Sequence, residues 1–264
     1  MSGARRVALI TGAGDGIGQA TAVAFASAGY DLALLDLSAD LLASTVTLID
    51  EDRAGTERAG VGRDGDHGDV DVRVVDVIDE HAVARAVDAV IARFGVVDAL
   101  INIVGGSRPG KTAVQLSLAE WNQLLALNLT STFLLCRSVI PHMELAGRGA
   151  VVNVSSGAGI RGMRANPGYC AAKGGIVALT RALAIDHGPN GVRVNAVAPG
   201  PVRTPLMRRN RTPDEIASMG GLSVSGRIGE PDELAAAILW LAGEGASYVM
   251  GQTLEVDGGP AAMI

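Results

Sequence analysis

Cysteine is nearly absent from this chain. Cys136 and Cys170 are the only two in 264 residues, which excludes a disulfide framework and any zinc-binding spacing, and both read as small buried residues. Histidine is almost as scarce: His67, His81, His142 and His187 form neither an HExxH pair nor a cluster, so no metal is expected. No uninterrupted apolar run approaches the roughly 18 residues of a membrane span. The amino terminus, Met1-Ser2-Gly3-Ala4-Arg5-Arg6, leads into a short strand-like run rather than a signal sequence, so a soluble, cytoplasmic protein with no membrane partner is expected. Positive charge is not in excess either; the formal charge of -6 argues against a nucleic-acid partner. Lysine occurs only at Lys111 and Lys173 among 22 basic residues. An arginine-biased chain that keeps lysine at one chosen place has a use there for a compact charge rather than a planar fork.

What is present is ordinary globular material, 48% apolar and 19% charged, enough for one substantial core and one domain over residues 1–264. Val7-Ala8-Leu9-Ile10 reads as a doubly buried parallel strand. It feeds directly into Thr11-Gly12-Ala13-Gly14-Asp15-Gly16-Ile17-Gly18, after which Ala20, Val23, Ala24 and Ala28 recur at helical spacing up to Gly29. In that context glycines permit a tight turn and close backbone approach, and the helix start offers N–H donors to a pyrophosphate. The next strand, 31–35, ends at Asp36. A carboxylate there can accept hydrogen bonds from both adenosine ribose hydroxyls and would repel a 2′-phosphate. Neither Asp15 nor Leu37 supplies a cation to offset it, which favours NAD over NADP.

The alternation continues along the chain. Residues 41–49 read as a helix, and 51–69, interrupted by Gly55, Gly60, Gly62, Gly65 and Gly68, as an extended surface loop. Strands at 70–75, 99–103, 150–155, 193–198 and 253–256 alternate with helices opening at Asp79, at the Ser117-Leu118-Ala119-Glu120 capping box, at 168–187 and at Pro231. The helix from Ser117 is expected to run towards Pro141, and 203–226 to be irregular with one short helix at 214–219. Strict alternation implies an α/β architecture, a doubly wound seven-stranded parallel sheet whose ligands sit at the carboxyl ends of the strands. Gly12, Asp36, Asp76, Gly105, Ser156 and Pro199 all fall there.

On the helix 168–187, Tyr169 and Lys173 are four residues apart and share a face. A free phenol titrates near pH ~10, and bringing it to about 7 takes roughly 4 kcal/mol of preference for the phenolate. One ammonium at about 4 Å supplies about that much at an effective dielectric near 20. Such a tyrosine can give or take a proton near neutral pH.

Taken together, Thr11-Gly12-x-x-x-Gly16-x-Gly18, Asp76-Val77, Asn128, Ser156, Tyr169-x-x-x-Lys173 and Pro199-Gly200 resemble the short-chain dehydrogenase/reductase family along nearly the whole chain. The resemblance implies a Rossmann fold and hydride transfer between the nicotinamide of NAD and a secondary alcohol or ketone. It implies Tyr169 as the acid-base residue and Ser156 as the group that orients the substrate oxygen. Lys173 would lower the tyrosine pKa and bind the nicotinamide ribose, and Asn128 would hold a water linking Lys173 to solvent. The implied cofactor cleft comprises Gly12, Asp15, Gly16, Ile17, Gly18, Asp36, Leu37, Asp76, Val77, Asn102, Gly105, Tyr169, Lys173, Pro199, Gly200, Val202 and Thr204, with Asp76 at the adenine and Val202 and Thr204 at the carboxamide. A homo-oligomer, tetramer or dimer, built on the helices that contain Asn128 and Tyr169 is implied in the same way. One departure is plain: where the family reads Asn-Asn-Ala-Gly, this chain has Asn102-Ile103-Val104-Gly105, with a bulkier side chain beside the adenosine half and no second amide.

Substrate choice is expected from the loop after the fourth strand, from 156–169, and from the substrate-binding loop 203–226. Arg108, Lys111, Arg161, Arg164, Arg203, Arg208, Arg209 and Arg211 lie in these segments. An anionic handle on the substrate is therefore one expectation, and solvated loop arginines or oligomer contacts are the other. A 3-oxoacyl thioester reductase of the same family stays open, although Asp36 counts against NADPH. So does a non-catalytic NAD-binding sensor or scaffold, against which the presence of Asn128, Ser156, Tyr169 and Lys173 together counts.

Overall fold

Successive residues of a strand face opposite ways, and here both ways are apolar. The computed structural model describes residues 5–58, 67–210 and 212–259. Strands β1 (Val7–Thr11), β2 (Asp31–Asp36), β3 (Val70–Val74), β4 (Ala99–Asn102), β5 (Gly149–Val154), β6 (Val192–Pro199) and β7 (Thr253–Val256) form one parallel sheet in the order β3-β2-β1-β4-β5-β6-β7. Ile10 pairs with Leu34 on one side and Ile101 on the other. Ala8 and Ile10 enter one core with Leu32, Leu34 and Val152, while Leu9 enters the other with Ala33, Leu100 and Val151. Helices α1 (Gly16–Ser27) and α2 (Ala39–Arg58) cover the first face; α3 (Glu80–Phe94) covers the second. Each fully buried Leu, Ile or Val stabilises by about 1.5–3 kcal/mol, so a sheet buried on both faces is the main source of stability. The strand order reverses about β1, which opens a crevice between the ends of β1 and β4.

Three expectations need correction. The stretch 51–69 does not begin as a loop, because α2 runs on to Arg58. Ser27 Oγ donates to Asp52 at 2.6 Å, and Arg53 donates to the Gly68 carbonyl at 2.7 Å, so contacts outside the helix hold its last turns despite Gly55. Residues 1–4, the part of that stretch at 59–66 and Arg211 lie outside the described residues. The segment 203–226 carries two helices, α8 (Pro205–Asn210) and α9 (Pro213–Met219), rather than one. Thr212 and Glu215 cap α9 reciprocally. Finally, the helix starting after Ser117 does not stop near Pro141. It comprises α4 (Leu118–Leu125), a π turn (Ala126–Thr130) and α5 (Ser131–Ala146), with Pro141 inside α5. Buried Ile140 and Met143 hold the turn that the missing N–H weakens. By length and composition Leu118–Ala146 could cross a membrane, but half of its apolar stretch is buried inside the protein, as in a core helix.

The remaining helices are α6 (Gly157–Arg161), α7 (Pro167–His187) and α10 (Pro231–Ala242), the last packed against α1. The carboxyl end of α10 is closed by one side chain. Arg193 donates from Nη1 to the carbonyls of Leu241 (2.8 Å) and Ala246 (3.0 Å), and from Nη2 to those of Ala242 (3.0 Å) and Gly243 (3.1 Å). Arg193→Met removes the side-chain donor from all four carbonyls, of which Ala246 keeps Val249 N, and is expected to cost about 2–4 kcal/mol. A lower urea midpoint at unchanged slope would show it; an unmoved midpoint would mean that water serves those carbonyls equally well.

Candidate active site

The loop between β1 and α1 has no room for side chains. Gly12 and Gly16 have φ of 66° and 51°, and a Cβ on Gly18 would lie 1.8 Å from the Gly12 carbonyl oxygen. Asp15 stands at the N-cap of α1 without capping it, so the first amides of the helix have no side-chain acceptor, and Ile17 packs on the core below. Asp36 is turned back to this loop: Oδ2 accepts from Gly14 N and Oδ1 from Ser38 N, both at 3.0 Å. Ser38, not Asp36, accepts from Leu41 N at the start of α2. A backbone cradle, an uncapped helix start and a carboxylate held at the end of β2 fit a dinucleotide.

Around the cradle, Leu37 is 70% exposed and Val77 is buried. Asp76 is exposed at the rim, with Oδ1 accepting from Ile78 N. The Asn102 side chain does not face the cleft. It is buried and donates to Asn153 Oδ1 at 2.9 Å, bracing β4 against β5. Ile103 packs on the core, and its N–H donates to Thr11 Oγ1 at 3.1 Å. Val104 also turns inward, with Cγ2 3.3 Å from where a Gly12 Cβ would stand. The two departures from the family pattern are thus absorbed largely by the core.

At the end of β5 the chain makes two serine contacts in succession. Ser155 Oγ donates to the Lys173 carbonyl at 2.8 Å. Ser156 opens α6: its Oγ accepts from Ala158 N at 3.2 Å, and its hydroxyl lies close enough to the Tyr169 phenol to lower that group's pKa. α6 lies so close to α7 that a Cβ on Gly159 would be 2.5 Å from the Lys173 carbonyl carbon. Lys173 is 3% exposed; its Nζ donates to the Val154 carbonyl at 2.7 Å and stands 5.9 Å from the Tyr169 ring centroid. Gly105 roofs this amine, since a Cβ there would be 2.9 Å from Nζ and 2.7 Å from Asn128 Oδ1. Asn128 sits in the π turn and clamps the same segment. Its Nδ2 donates to the carbonyls of Gly106 and Leu124, both at 2.9 Å, and its Oδ1 accepts from Gly106 N at 3.0 Å. Both Nδ2 hydrogens serve protein partners, whereas Oδ1 accepts one bond and keeps a second lone pair for a further donor, as the expected water would require.

The electrostatics also differ from expectation. Burial pushes the Tyr169 phenol up, by more than the hydrogen bond from Ser156 pulls it down. Burial pushes Lys173 down to about 7. The helical spacing does put both groups on one face, but the amine is directed at Val154 and is itself short of charge at neutral pH. In the chain alone, Ser156 rather than Lys173 is the group that favours the phenolate.

Pro199 is buried at the end of β6, and a Cβ on Gly200 would be 2.7 Å from Asp257 Cβ. Val202 is buried and bridges to Gly229. Thr204 Oγ1 accepts from Met207 N, and a Cβ on Gly16 would be 3.1 Å from Thr204 Cγ2, so the start of α8 lies over the glycine loop. Most of the basic residues at the mouth are engaged. Arg209 pairs with Asp15 at 3.1 Å, Arg203 with Glu230 at 2.8 Å, Lys111 with Glu120, and Arg161 with both Glu255 and Asp257. Arg108 reaches Gln123 at 3.5 Å. Arg164 and Arg208 pair with no carboxylate among the described residues. A cavity of about 560 Å³ beneath α8 and α9 is lined by Arg203, Arg208, Pro213, Ile216 and Arg227, not by Ser156 or Tyr169.

Two residues of the mouth went unnoticed in the sequence. Asn166 is 1% exposed and donates to Ser107 Oγ at 2.6 Å, while Gly110 N and Lys111 N donate to the Ala165 carbonyl at 2.9 and 3.2 Å. Ala165 has φ of 52°, alone among the described non-glycine residues. The run Ala165-Asn166-Pro167-Gly168 announces a helix start; its partner Ser107, 59 positions away, is not announced.

A family model described as "Enoyl-(Acyl carrier protein) reductase" matches residues 12–260. The chain is 38% identical over 254 residues to D-threitol dehydrogenase of Mycolicibacterium smegmatis, which covers 96% of this chain and 92% of that protein. It is 38% identical over 256 residues to cis-4-hydroxycyclohexanecarboxylate dehydrogenase of Sinomonas cyclohexanicum, covering 97% and 96%. The crystal structure of levodione reductase superimposes with a TM-score of 0.88 at 34% identity over 98% of each chain.

The buried amine has a pH signature. Lys173 titrates at about 7 when folded against 10.5 ordinarily, so between these values the unfolded chain binds the extra proton. Stability relative to Lys173→Met is therefore expected to rise as pH rises from about 7 towards about 10, and to be flat below that window, where both states are protonated. Paired melting curves across the range check this; a constant difference between the two proteins would show that the amine keeps its charge.

Proposed function

Because the chain belongs to the short-chain dehydrogenase/reductase family, we propose that it is an NAD(H)-dependent oxidoreductase interconverting a secondary alcohol and a ketone, with Tyr169 as general acid and base. The observation that carries this reading is the gathering of Ser156, Tyr169 and Lys173 where α6 packs on α7, at the strand ends beside the glycine cradle. When bound, the oxidised dinucleotide supplies the hydride acceptor and a positive charge. Tyr169 takes the proton from the substrate hydroxyl, or returns it to the ketone oxygen. Ser156 holds the oxygen that changes charge, and Asn128 keeps the 105–106 segment in place over Lys173. Working at neutral pH requires the phenol to fall by roughly 4 kcal/mol, and Ser156 supplies only part of that. Positive charge entering the cleft supplies the rest.

Asp36 supports NAD over NADP, because its carboxylate is already fixed by two backbone donors and Arg209, the α8 cation that reaches the glycine loop, is paired with Asp15. An anionic substrate would be read by Arg164, Arg208 or Arg108, which pair with no carboxylate among the described residues. Two dehydrogenases stand at equal identity, one named for a carboxylate and one not, so neither choice is favoured by likeness. A relative 34% identical over 254 residues, the 3-oxoacyl-[acyl-carrier-protein] reductase of Thermotoga maritima, gives a 3-oxoacyl thioester reductase a place as second reading, against which Asp36 weighs. A homo-oligomer, dimer or tetramer, is supported by exposed Phe133 and Leu145 on α5 and Ile185 on α7. We read the chain as one domain over residues 1–264, working in the cytoplasm.

Incubation with NAD and a panel of secondary alcohols, half anionic and half neutral isosteres, is the test, followed by NADH absorbance. Tyr169→Phe is expected to lower kcat/KM about 10²–10⁴-fold with NADH binding kept. Activity that survives the substitution, or none with alcohols and none with ketones plus NADH, would contradict the proposal. Asp36→Ala is expected to reduce the preference for NAD over NADP by about 10²-fold or more; an unchanged preference would remove Asp36 from cofactor selection.

A further inference from the structure

Arg161 is the basic residue of the mouth that two carboxylates hold at once. It ends α6, whose five residues make little more than one turn, and a helix so short has no stability of its own. Its direction must come from its anchors. One is Gly159, which lets α6 lie on the backbone of Lys173. Another is Ser156, which opens the helix. Arg161 is the third. Its Nη2 donates to Asp257 Oδ2 at 2.6 Å, and its Nη1 donates to Glu255 at the end of β7. The guanidinium folds back along its own helix, since a Cβ on Gly157 would be 2.5 Å from Nη2. Asp257 is only 7% exposed and Arg161 33%, so this pair is sheltered, and removing one partner would strand the other.

The contact continues beyond Asp257. Its Oδ1 accepts from Gly259 N at 2.9 Å. The Gly259 carbonyl accepts from Val224 N at 2.7 Å, and the Gly258 carbonyl from Ser225 N at 3.0 Å. Val224 and Ser225 close the segment that carries α8 and α9. Gly200 N donates to the Val256 carbonyl at 3.2 Å, which fixes the other end of that segment to the same strand. Hydrogen bonds from Arg161 to Asp257 and on to Gly259, and from residues 256, 258 and 259 to Gly200, Ser225 and Val224, therefore tie the end of α6 to the short stretch 255–259 on which both ends of the α8–α9 segment rest.

We propose that Arg161 is a positioning residue: by pairing with Asp257 and Glu255 it fixes α6, and with it the Ser156 hydroxyl, to the base of the α8–α9 segment. Placement of that segment and of the Ser156 hydroxyl beside Tyr169 are then set together. The effect on turnover rests on the acid-base role proposed for Tyr169; the mechanical coupling does not. Arg161 is accordingly not a group that receives substrate.

Hydrogen–deuterium exchange on the full chain tests the coupling directly, with Arg161→Met and Arg161→Lys beside the wild type. Arg161→Met is expected to speed exchange about tenfold or more in two separate segments, 157–162 and 223–226, and to leave α3 unchanged. Arg161→Lys, which keeps a charge but not the fork, falls between. With an alcohol substrate, kcat is expected to fall about 10–100-fold in Arg161→Met with KM for NAD within about twofold. The limb of the pH profile set by Tyr169 moves to higher pH, because Ser156 no longer favours the phenolate as strongly. Faster exchange in 157–162 alone would refute the coupling, and wild-type exchange with a wild-type pH profile would refute the positioning role. If the wild type turns over no alcohol or ketone, the acid-base reading fails, while the exchange pattern still decides the coupling. Should Arg161→Met not fold, Glu255→Gln and Arg161→Lys give the same two-segment readout.

Discussion

A buried amine shapes this site. Lys173 Nζ is held by the last carbonyl of β5, beneath Gly105 and beside Asn128, with almost no access to water. Burying a charge that has no counter-ion is unfavourable, and the amine responds by giving up its proton near pH 7. The surroundings follow from making room for it. Glycine is needed at 105 because any Cβ would meet the amine, and at 159 because any Cβ would meet the Lys173 backbone. The π turn at Asn128 brings an amide to the Gly106 backbone, and Ser155 holds the Lys173 carbonyl. Arginine could not stand here: its guanidinium does not deprotonate in proteins, and its fork is too broad for the roof at Gly105.

The consequence for Tyr169 is that the chain by itself does not activate it. A half-sheltered phenol next to an amine that is only partly charged at neutral pH titrates high, and the Ser156 hydroxyl opposes that. The direction of one hydroxyl therefore carries weight, and that hydroxyl sits at the start of a single-turn helix with little rigidity of its own. Arg161 supplies rigidity from the far edge of the sheet, where β7 and the residues after it also anchor the α8–α9 segment. On the cofactor side, Thr204 and Arg209 bring the start of the same segment onto the glycine loop. Cofactor cradle, acid-base pair and the α8–α9 segment thus share their supports.

Much of this was legible in the sequence wherever the signal is local. Runs such as Val7 to Ile10, and Val151 to Val154 with its single asparagine, announce strands buried on both faces, and the glycine spacing after Thr11 announces the loop. The placing of Asp36 follows from its position at the end of β2, and the shared helical face of Tyr169 and Lys173 from their spacing. What stayed hidden depends on partners distant in sequence. The extension of α2 to Arg58 rests on Ser27 and Gly68, and the inward turn of Asn102 on Asn153. Arg161 reads as one more mouth arginine until Glu255 and Asp257, more than ninety residues on, are brought to it. The tyrosine was misjudged for a related reason: spacing gives proximity, whereas burial and the direction of the amine decide the charge.

Direct titration of Tyr169 tests this most sharply. The chain has three tyrosines, Tyr30, Tyr169 and Tyr248, so ring-carbon labelling gives three signals, and Tyr169→Phe identifies the one of interest. Without dinucleotide, Tyr169 is predicted to titrate above its ordinary value of about 10, and with NAD bound to fall by more than about one unit. A phenol already near neutral in the chain alone, or one that NAD leaves unmoved, would contradict a tyrosine that is switched on by charge entering the cleft.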